Sequence, residues 1–334
     1  MRQVTGKGLA AVGLLVAVAV WLVWNFSESP AAFLRVSIIG LQNGALYALI
    51  ALGYTLVYGI IELINFAHGD LFMLGSLFGM FLLAQSGQDA SNPATWLLLI
   101  GIIAATMVFC GTLNMTIERV AYRPLRNAPK LAPLITAIGM SFILQNIGLI
   151  WNGPGQVSVP VVLPNEVLFT IGGVGINSIP LIIVGVTIPL LLLLTWIVRS
   201  TKPGKAMRAT AQDADGARLM GINVNRTIAF TFALGGLMAG AAGVLYAQAV
   251  STTRWDQGFQ LGLISFTAAV LGGIGNLRGA VLGAVLIGFI QALNEGLPHG
   301  AGAQWSQSLV FSILILILVF KPEGLLGEQT PEKV

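Results

Sequence analysis

Charge is scarce in this 334-residue chain: Asp, Glu, Lys and Arg make up only 9% of it, against about 25% in a soluble domain. That shortage excludes an ordinary water-facing surface. Cysteine occurs once, as Cys110 within an apolar run, so disulfides contribute nothing. Histidine occurs twice, the acidic residues lack metal-ligand spacing, and no Ser-His-Asp constellation is present. Catalytic and metal-ligating residues are therefore not expected. The chain has no GxxxxGK[ST] sequence and cannot cradle ATP phosphates itself. Gly273-Ile274-Gly275-Asn276-Leu277-Arg278-Gly279 lacks the GxGxxG spacing, and apolar segments flank it where a βαβ unit would be needed. It reads as a tight turn between helices, and no cofactor is expected.

What is present is apolar sequence. Hydrophobic residues make up 56% of the chain, the mean hydropathy is +0.85, and runs of bilayer-spanning length, about 20 residues, recur throughout. The runs are long and continuous, not ~10-residue alternating strands, so the fold class is an all-α polytopic membrane protein. Ten segments are predicted: Leu9 to Phe26, Val36 to Tyr58, Leu71 to Ala84, Trp96 to Met115, Leu134 to Trp151, Ile179 to Val198, Ile228 to Val250, Phe259 to Ile274, Ala280 to Asn294 and Leu309 to Phe320. Several are short, giving eight to ten full spans. The first has the basic start of a signal peptide, but the stretch after it offers no clean small-x-small cleavage site, so it is expected to stay. The whole chain, 1–334, reads as one transmembrane domain. Its 41 glycines suit helices that approach closely, and polar side chains within the spans (Asn114, Gln145, Asn146, Gln248, Gln291, Asn294) are expected mostly to bond between helices.

Positive charge sets the orientation. With both termini cytoplasmic, fifteen of the seventeen Lys and Arg residues fall inside and only Arg35 and Arg254 outside. The formal net charge of +4 thus reflects membrane orientation and not nucleic-acid binding.

Two polar stretches stand out. Arg199 to Arg226 holds eight of the thirty charged residues. Pro203-Gly204 punctuates its start, and Lys205 to Gln212 has good helix propensity. Asp213 can cap a helix of about two turns carrying Ala214, Ala217, Leu219 and Met220 among Asp215 and Arg218. Gly221 sits where a left-handed residue would end that helix, with Asn223 just beyond. So short a helix is marginal alone and needs a partner surface. The second stretch is Gly59 to Asp70. On a helix, Glu62, Asn65 and His68 form one polar stripe. Gly69 permits a break, and Asp70 can cap a helix starting at Leu71. Two readings stay open for it: a broken helix beside a transport path, or a cytoplasmic turn whose polar groups meet water.

Long motifs carry a resemblance. LYALIALGYTLVYG (Leu46 to Gly59) with INFAHGD (Ile64 to Asp70), ERVAYRPLRNAP (Glu118 to Pro129) with LITAIG (Leu134 to Gly139), and GKAMRATAQD (Gly204 to Asp213) through LMGIN (Leu219 to Asn223) resemble the branched-chain amino-acid ABC transporter permease family. The second block is similar to the H-type subunit (LivH family) in particular. The likeness runs from about residue 36 to 325. It departs in the first span and in Asp70, which stands where Glu is more usual.

The resemblance implies an import subunit for leucine, isoleucine or valine in the bacterial inner membrane, surrounded by lipid. It implies a homologous second permease, two cytoplasmic ATPase subunits that hydrolyse ATP, and a periplasmic or lipid-anchored substrate-binding protein. Residues 199–227 become the ATPase-coupling loop, with Gly204, Arg208, Asp213, Ala217, Arg218 and Gly221 as its functional positions. Glu62, Asn65, His68 and Asp70 become candidates for the substrate path. A urea or short-chain amide permease shares much of this pattern; a secondary transporter using the Glu62 to Asp70 stretch is the alternative from another class.

Overall fold

A computed structural model describes residues 6–87, 94–126, 128–129 and 131–327. Helices dominate: α1 (Gly6–Glu28), α2 (Pro30–Ile61), α3 (Ala67–Ser86), α4 (Ala94–Ile117), α5 (Leu131–Asn152), α6 (Ser178–Ser200), α7 (Lys202–Gln212), α8 (Ala214–Leu219), α9 (Val224–Val250), α10 (Gln257–Gly272), α11 (Leu277–Gly296) and α12 (Ala303–Phe320). Helix α4 runs on through a π-helical turn, Glu118–Tyr122, and a 3-10 turn, Arg123–Leu125. Each of the ten predicted segments coincides with a helix. Among the described residues eight helices are long and apolar enough to cross a membrane, while Val16–Glu28 of α1 and α10 are shorter.

The helix ends follow local chemistry. Ser29 caps α2 by accepting from the Ala32 amide at 3.4 Å, with Pro30 in the first turn, where its missing N–H costs nothing. Asn223 caps α9 through the Arg226 amide at 3.0 Å. Asn276 caps α11 through the amides of Arg278 and Gly279, so residues 273–276 are the tight interhelical turn the sequence suggested.

Helices α2, α3 and α9 form the buried centre, with α4, α5, α6 and α12 outside them. Small residues permit the closest contacts. A Cβ on Gly288 of α11 would lie 2.3 Å from the Gly44 amide nitrogen of α2, and one on Gly236 of α9 would lie 2.4 Å from the Cys110 carbonyl of α4. With no aqueous driving force inside a bilayer, such backbone approach and interhelical hydrogen bonds hold a bundle together. The polar side chains supply those bonds. Asn114 donates to the Phe232 carbonyl at 2.7 Å, Tyr47 to Gln291 at 2.7 Å, and Asn294 to Ser306 at 3.0 Å. Asn146 instead bonds within its own helix, to the Phe142 carbonyl.

One feature was not predicted. The stretch between α5 and α6 holds a hairpin, β2 (Val167–Ile171) with β3 (Val174–Asn177), and a short strand β1 (Val157–Ser158) pairs with β4 (Thr252–Thr253). The hairpin turn is Gly172-Gly173, both at positive φ, as a two-residue turn between right-twisted strands requires. That signal lies in the sequence between runs of Val, Ile and Phe. Gln248 of α9 ties the segment down, accepting from the Val162 amide at 2.9 Å and donating to the Pro160 carbonyl at 2.8 Å.

Candidate functional site

The loop from 199 to 226 folds as two helices. Thr201 caps α7, accepting from the Gly204 amide at 3.2 Å, so the helix begins at Lys202, three residues before the predicted start. Gly204 is there for space: a Cβ would lie 2.2 Å from the Val198 carbonyl. Arg208 turns back and donates to the Val198 and Arg199 carbonyls. It thereby satisfies acceptors that the end of α6 would leave orphaned. Gly204 and Arg208 thus lock α7 to the end of a membrane helix.

Helix α8 is bounded at both ends as predicted. Asp213 Oδ1 accepts from the Asp215 and Gly216 amides, each at 3.0 Å. Gly221 has φ +82°, with its amide bonded to the Arg218 carbonyl and the Ile222 amide to the Ala217 carbonyl, each at 3.0 Å. That pair of bonds is a Schellman closure. Ala217 is buried, the inward anchor of the helix, while Leu219 and Met220 are 89% and 83% exposed. Arg218 pairs with Asp215 at 2.6 Å on the exposed side, worth little in water. Leu219, the last residue of this six-residue helix, and Met220 just after it thus both lie in the open.

The second stretch departs from expectation. Glu62, Asn65 and His68 do not share a helix. Helix α2 ends at Ile61, Glu62 caps it in the left-handed region at φ 52° with its amide bonded to the Tyr58 carbonyl, and α3 resumes at Ala67. The break therefore precedes Gly69, which lies inside α3. There a Cβ would meet the Gly258 carbonyl of α10 at 2.3 Å, so close packing, not chain bending, explains that glycine. Asp70 does not cap: it is the fourth residue of α3, and its Oδ2 accepts from Ser141 Oγ of α5 at 2.5 Å, with Gln145 donating to Ser141 at 3.1 Å. Asn65 accepts from the Tyr122 hydroxyl at 2.7 Å. His68 lies edge-on to Tyr54, ring centroids 4.8 Å apart. Asn65, His68 and Asp70 are all buried, whereas Glu62 is exposed. The four candidates are thus split, three within the packed bundle and one at its edge.

Sequence reasoning missed Tyr122, which reaches Asn65 across 57 positions, and the ion pair of Glu118 with Arg126. Arg126 also donates to Asn225 at 2.6 Å, joining the end of α4 to the start of α9. Burial lowers the Arg126 guanidinium from its ordinary value, and Glu118 beside it opposes that. The eight-residue spacing of Glu118 and Arg126 gave no helical signal because a π turn and a 3-10 turn intervene.

These elements meet around one cavity of about 640 Å³, walled by the end of α2 (Thr55, Tyr58, Glu62), the end of α6 (Val198, Arg199), α7 (Met207, Arg208) and the turn between α10 and α11 (Ile274, Asn276). The segment after α12 lies close by, with the Leu325 and Leu326 amides donating to the last carbonyls of α10 and Asn276 donating to the Leu326 carbonyl at 2.8 Å. Three of the basic segments, the loop after α6, the turn before α11 and the described stretch after α12 with Lys321, therefore share one end of the bundle. Among the described residues no group of three His, Cys, Asp or Glu could hold a metal ion.

Known proteins match along most of this framework. Residues 37–319 fit the family described as branched-chain amino acid transport system / permease component. The chain is 41% identical over 308 residues to the high-affinity branched-chain amino acid transport system permease protein BraD of Pseudomonas aeruginosa, covering 90% of this chain and 98% of that one. It is 39% identical over 313 residues to the permease protein LivH of the same kind of system in Escherichia coli, covering 92% and 100%. A more distant relative, 26% identical over 92% of this chain and 85% of its own length, is the autoinducer 2 import system permease protein LsrC of Escherichia coli. With the family matched over most of its length and such relatives covered almost end to end, this chain belongs to the branched-chain amino acid transport system permease family.

Proposed function

We propose that this chain is the membrane-spanning permease subunit of an ABC importer for leucine, isoleucine and valine, a multi-pass protein of a bacterial inner membrane with both termini cytoplasmic. The whole of 1–334 acts as one transmembrane domain. It pairs with a homologous permease, rests on two ATPase subunits, and receives substrate from a periplasmic or lipid-anchored binding protein. The observation that carries this reading is α8, capped at both ends and anchored by Ala217, with Leu219 and Met220 held out from the bundle. An apolar helix tip on the basic side of a membrane protein fits a groove on a cytoplasmic partner.

Nucleotide-driven movement of that groove would be transmitted along a short rigid line. Asp213 and Gly221 hold α8 in shape, and Gly204 and Arg208 fasten α7 to the end of α6. A conformational switch requires differential binding to its two states, and the ATPases supply it through this contact. Of the four path candidates Glu62 alone is on the cavity wall. Asn65, His68 and Asp70 are better placed to fix the α2–α3 break and the α3–α5 contact that any rocking of the bundle must respect.

Reconstitution with the two ATPases, the second permease and the binding protein tests the proposal through uptake of a labelled panel of amino acids, urea and short amides. ATP-dependent accumulation of branched-chain amino acids is expected. Uptake that ignores ATP, or that favours urea or amides, refutes it.

A further inference from the structure

The link between α9 and α10, residues 251–256, lies deep in the bundle. Thr253 Oγ1 is 2.6 Å from the hydroxyl of Ser76, which is fully buried midway along the span α3. Helix α10 starts at a similar depth: a Cβ on Gly258 would lie 2.6 Å from the Gly69 carbonyl and 2.7 Å from Met73 Cβ. Its 16 residues reach only about 24 Å at ~1.5 Å each, less than the ~30 Å of a hydrocarbon core. Strand β1 follows the link inward, Val157 pairing with Thr253 and Ser158 with Thr252. Non-helical backbone at membrane depth is tolerated only inside protein or against water. Here one side of the link meets water. Arg254 and Asp256 form an ion pair whose side chains are 47% and 30% exposed, and Gln156, also exposed, donates to Thr252 at 2.8 Å. Charged groups so placed face a water-filled cavity and not lipid.

We infer that residues 251–257 are the outer gate of the transport path, at the floor of a water-filled vestibule that enters from the outer side, with Ser76, Thr253 and Gln257 as its latch. The three side chains bond to one another. Gln257 Nε2 donates to Ser76 Oγ at 2.9 Å and to Thr253 Oγ1 at 2.7 Å, and Ser76 also donates to the Met73 carbonyl at 2.7 Å. Such a seal opens by exchanging a few hydrogen bonds for bonds to water, a nearly balanced trade, whereas an apolar plug would have to expose its surface. Ser251 supplies the hinge. At φ 61° it is one of two non-glycine residues in the left-handed region among those described, a conformation that persists only where the surroundings enforce it and that clusters at switch regions. Its amide bonds to the Ala247 carbonyl and its carbonyl accepts from the Val159 amide, each at 2.9 Å. Gly258 and Gly262 pin α10 against Gly69, so movement falls to the link. The gate rests on the importer reading above and deepens it: with the outer latch made and a cavity at the basic end, the structure has the form of an inward-facing state.

The test uses the complete importer, with its ATPases, second permease and binding protein, in proteoliposomes. Ser76→Cys combined with Thr253→Cys puts two thiols where the hydroxyls are 2.6 Å apart, close to the ~2.05 Å of a disulfide. Oxidation with copper phenanthroline is expected to abolish ATP-dependent uptake of labelled leucine, and dithiothreitol to restore it in the same vesicles. Thr253→Cys alone, treated from outside with an impermeant methanethiosulfonate, should react about tenfold or more slowly with the latch made than with it open. Its rates in the nucleotide-free and vanadate-trapped complexes should therefore differ by that factor, while Arg254→Cys, on the vestibule wall, should react in both. Where the reduced double variant is itself inactive, the labelling rates decide. Equal rates for Thr253→Cys, leucine uptake that survives the disulfide, or an Arg254→Cys that the outside reagent does not reach overturns the gate while the importer reading stands. A complex that accumulates urea instead of leucine overturns the substrate reading, and the gate is then read from the same disulfide with urea.

Discussion

Replacing Gly221 by Val isolates the contribution of α8. Gly221 sits at φ +82° with no atom within 4 Å of where a Cβ would be, so the substitution meets no steric wall and acts only through the backbone. A left-handed conformation costs an L-residue about 1–2 kcal/mol, and a β-branched one is a true outlier there. Helix α8 has six residues and little stability of its own, so a penalty near the top of that range displaces the ending held by the Gly221 and Ile222 amides. At 1.4 kcal/mol per factor of ten, 2 kcal/mol lowers the population of correctly ended helix by about 30-fold. The membrane bundle makes no contact at this position and should express and assemble normally. In proteoliposomes holding the complete importer, uptake of labelled leucine is expected to fall to about a tenth or less while ATPase subunits still hydrolyse ATP. Gly221→Asn should recover most of the activity, since Asn tolerates the left-handed region. Wild-type uptake by well-expressed Gly221→Val would refute the coupling role.

Other perturbations probe the rest of the framework. Asp213→Ala removes the acceptor for two amides and should cost about 1 kcal/mol, reducing uptake severalfold without changing the thermal unfolding of the detergent-solubilised protein. Gly283→Ala would place a Cβ 2.1 Å from the Ala268 carbonyl, whereas a Cβ on Gly139 meets nothing within 4 Å. The first should lower the unfolding temperature clearly and Gly139→Ala should not, a contrast that a thermal shift assay reads directly. Arg126→Ala strands the buried Glu118 carboxylate, expected to cost roughly 3–5 kcal/mol and to be seen as lost yield of folded protein. For orientation, a cysteine at Gln156 should react with an impermeant reagent from the periplasm and one at Lys205 should not; the reverse result inverts the topology.

Local chemistry made a large part of this protein legible in its sequence. Ten apolar stretches became ten helices, because hydropathy over about 20 residues is a sufficient signal for a helix in lipid. The bounds of α8 were readable because a cap is a conversation between neighbours: Asp213 speaks to amides two and three positions on, and Gly221 needs only its own φ. The hairpin at Gly172-Gly173 carried the same kind of local signal and was passed over in a glycine- and valine-rich stretch.

What tertiary structure decided were partnerships across distance. Regular spacing placed Glu62, Asn65 and His68 on one helix. Instead the break at 62–66 divides them, because Asn65 is claimed by Tyr122 from 57 positions away and Gly69 must lie against Gly258 and Gly262. Asp70 looked like a cap until Ser141, 71 positions on, was brought to it. The cavity at the ends of α2, α6 and α7 joins three stretches of the chain, 55–62, 198–211 and 274–277, that no single sequence window contains. Capping and hydropathy act within one or two helical turns, whereas a buried polar group takes whichever partner packing presents, and only the assembled bundle determines that.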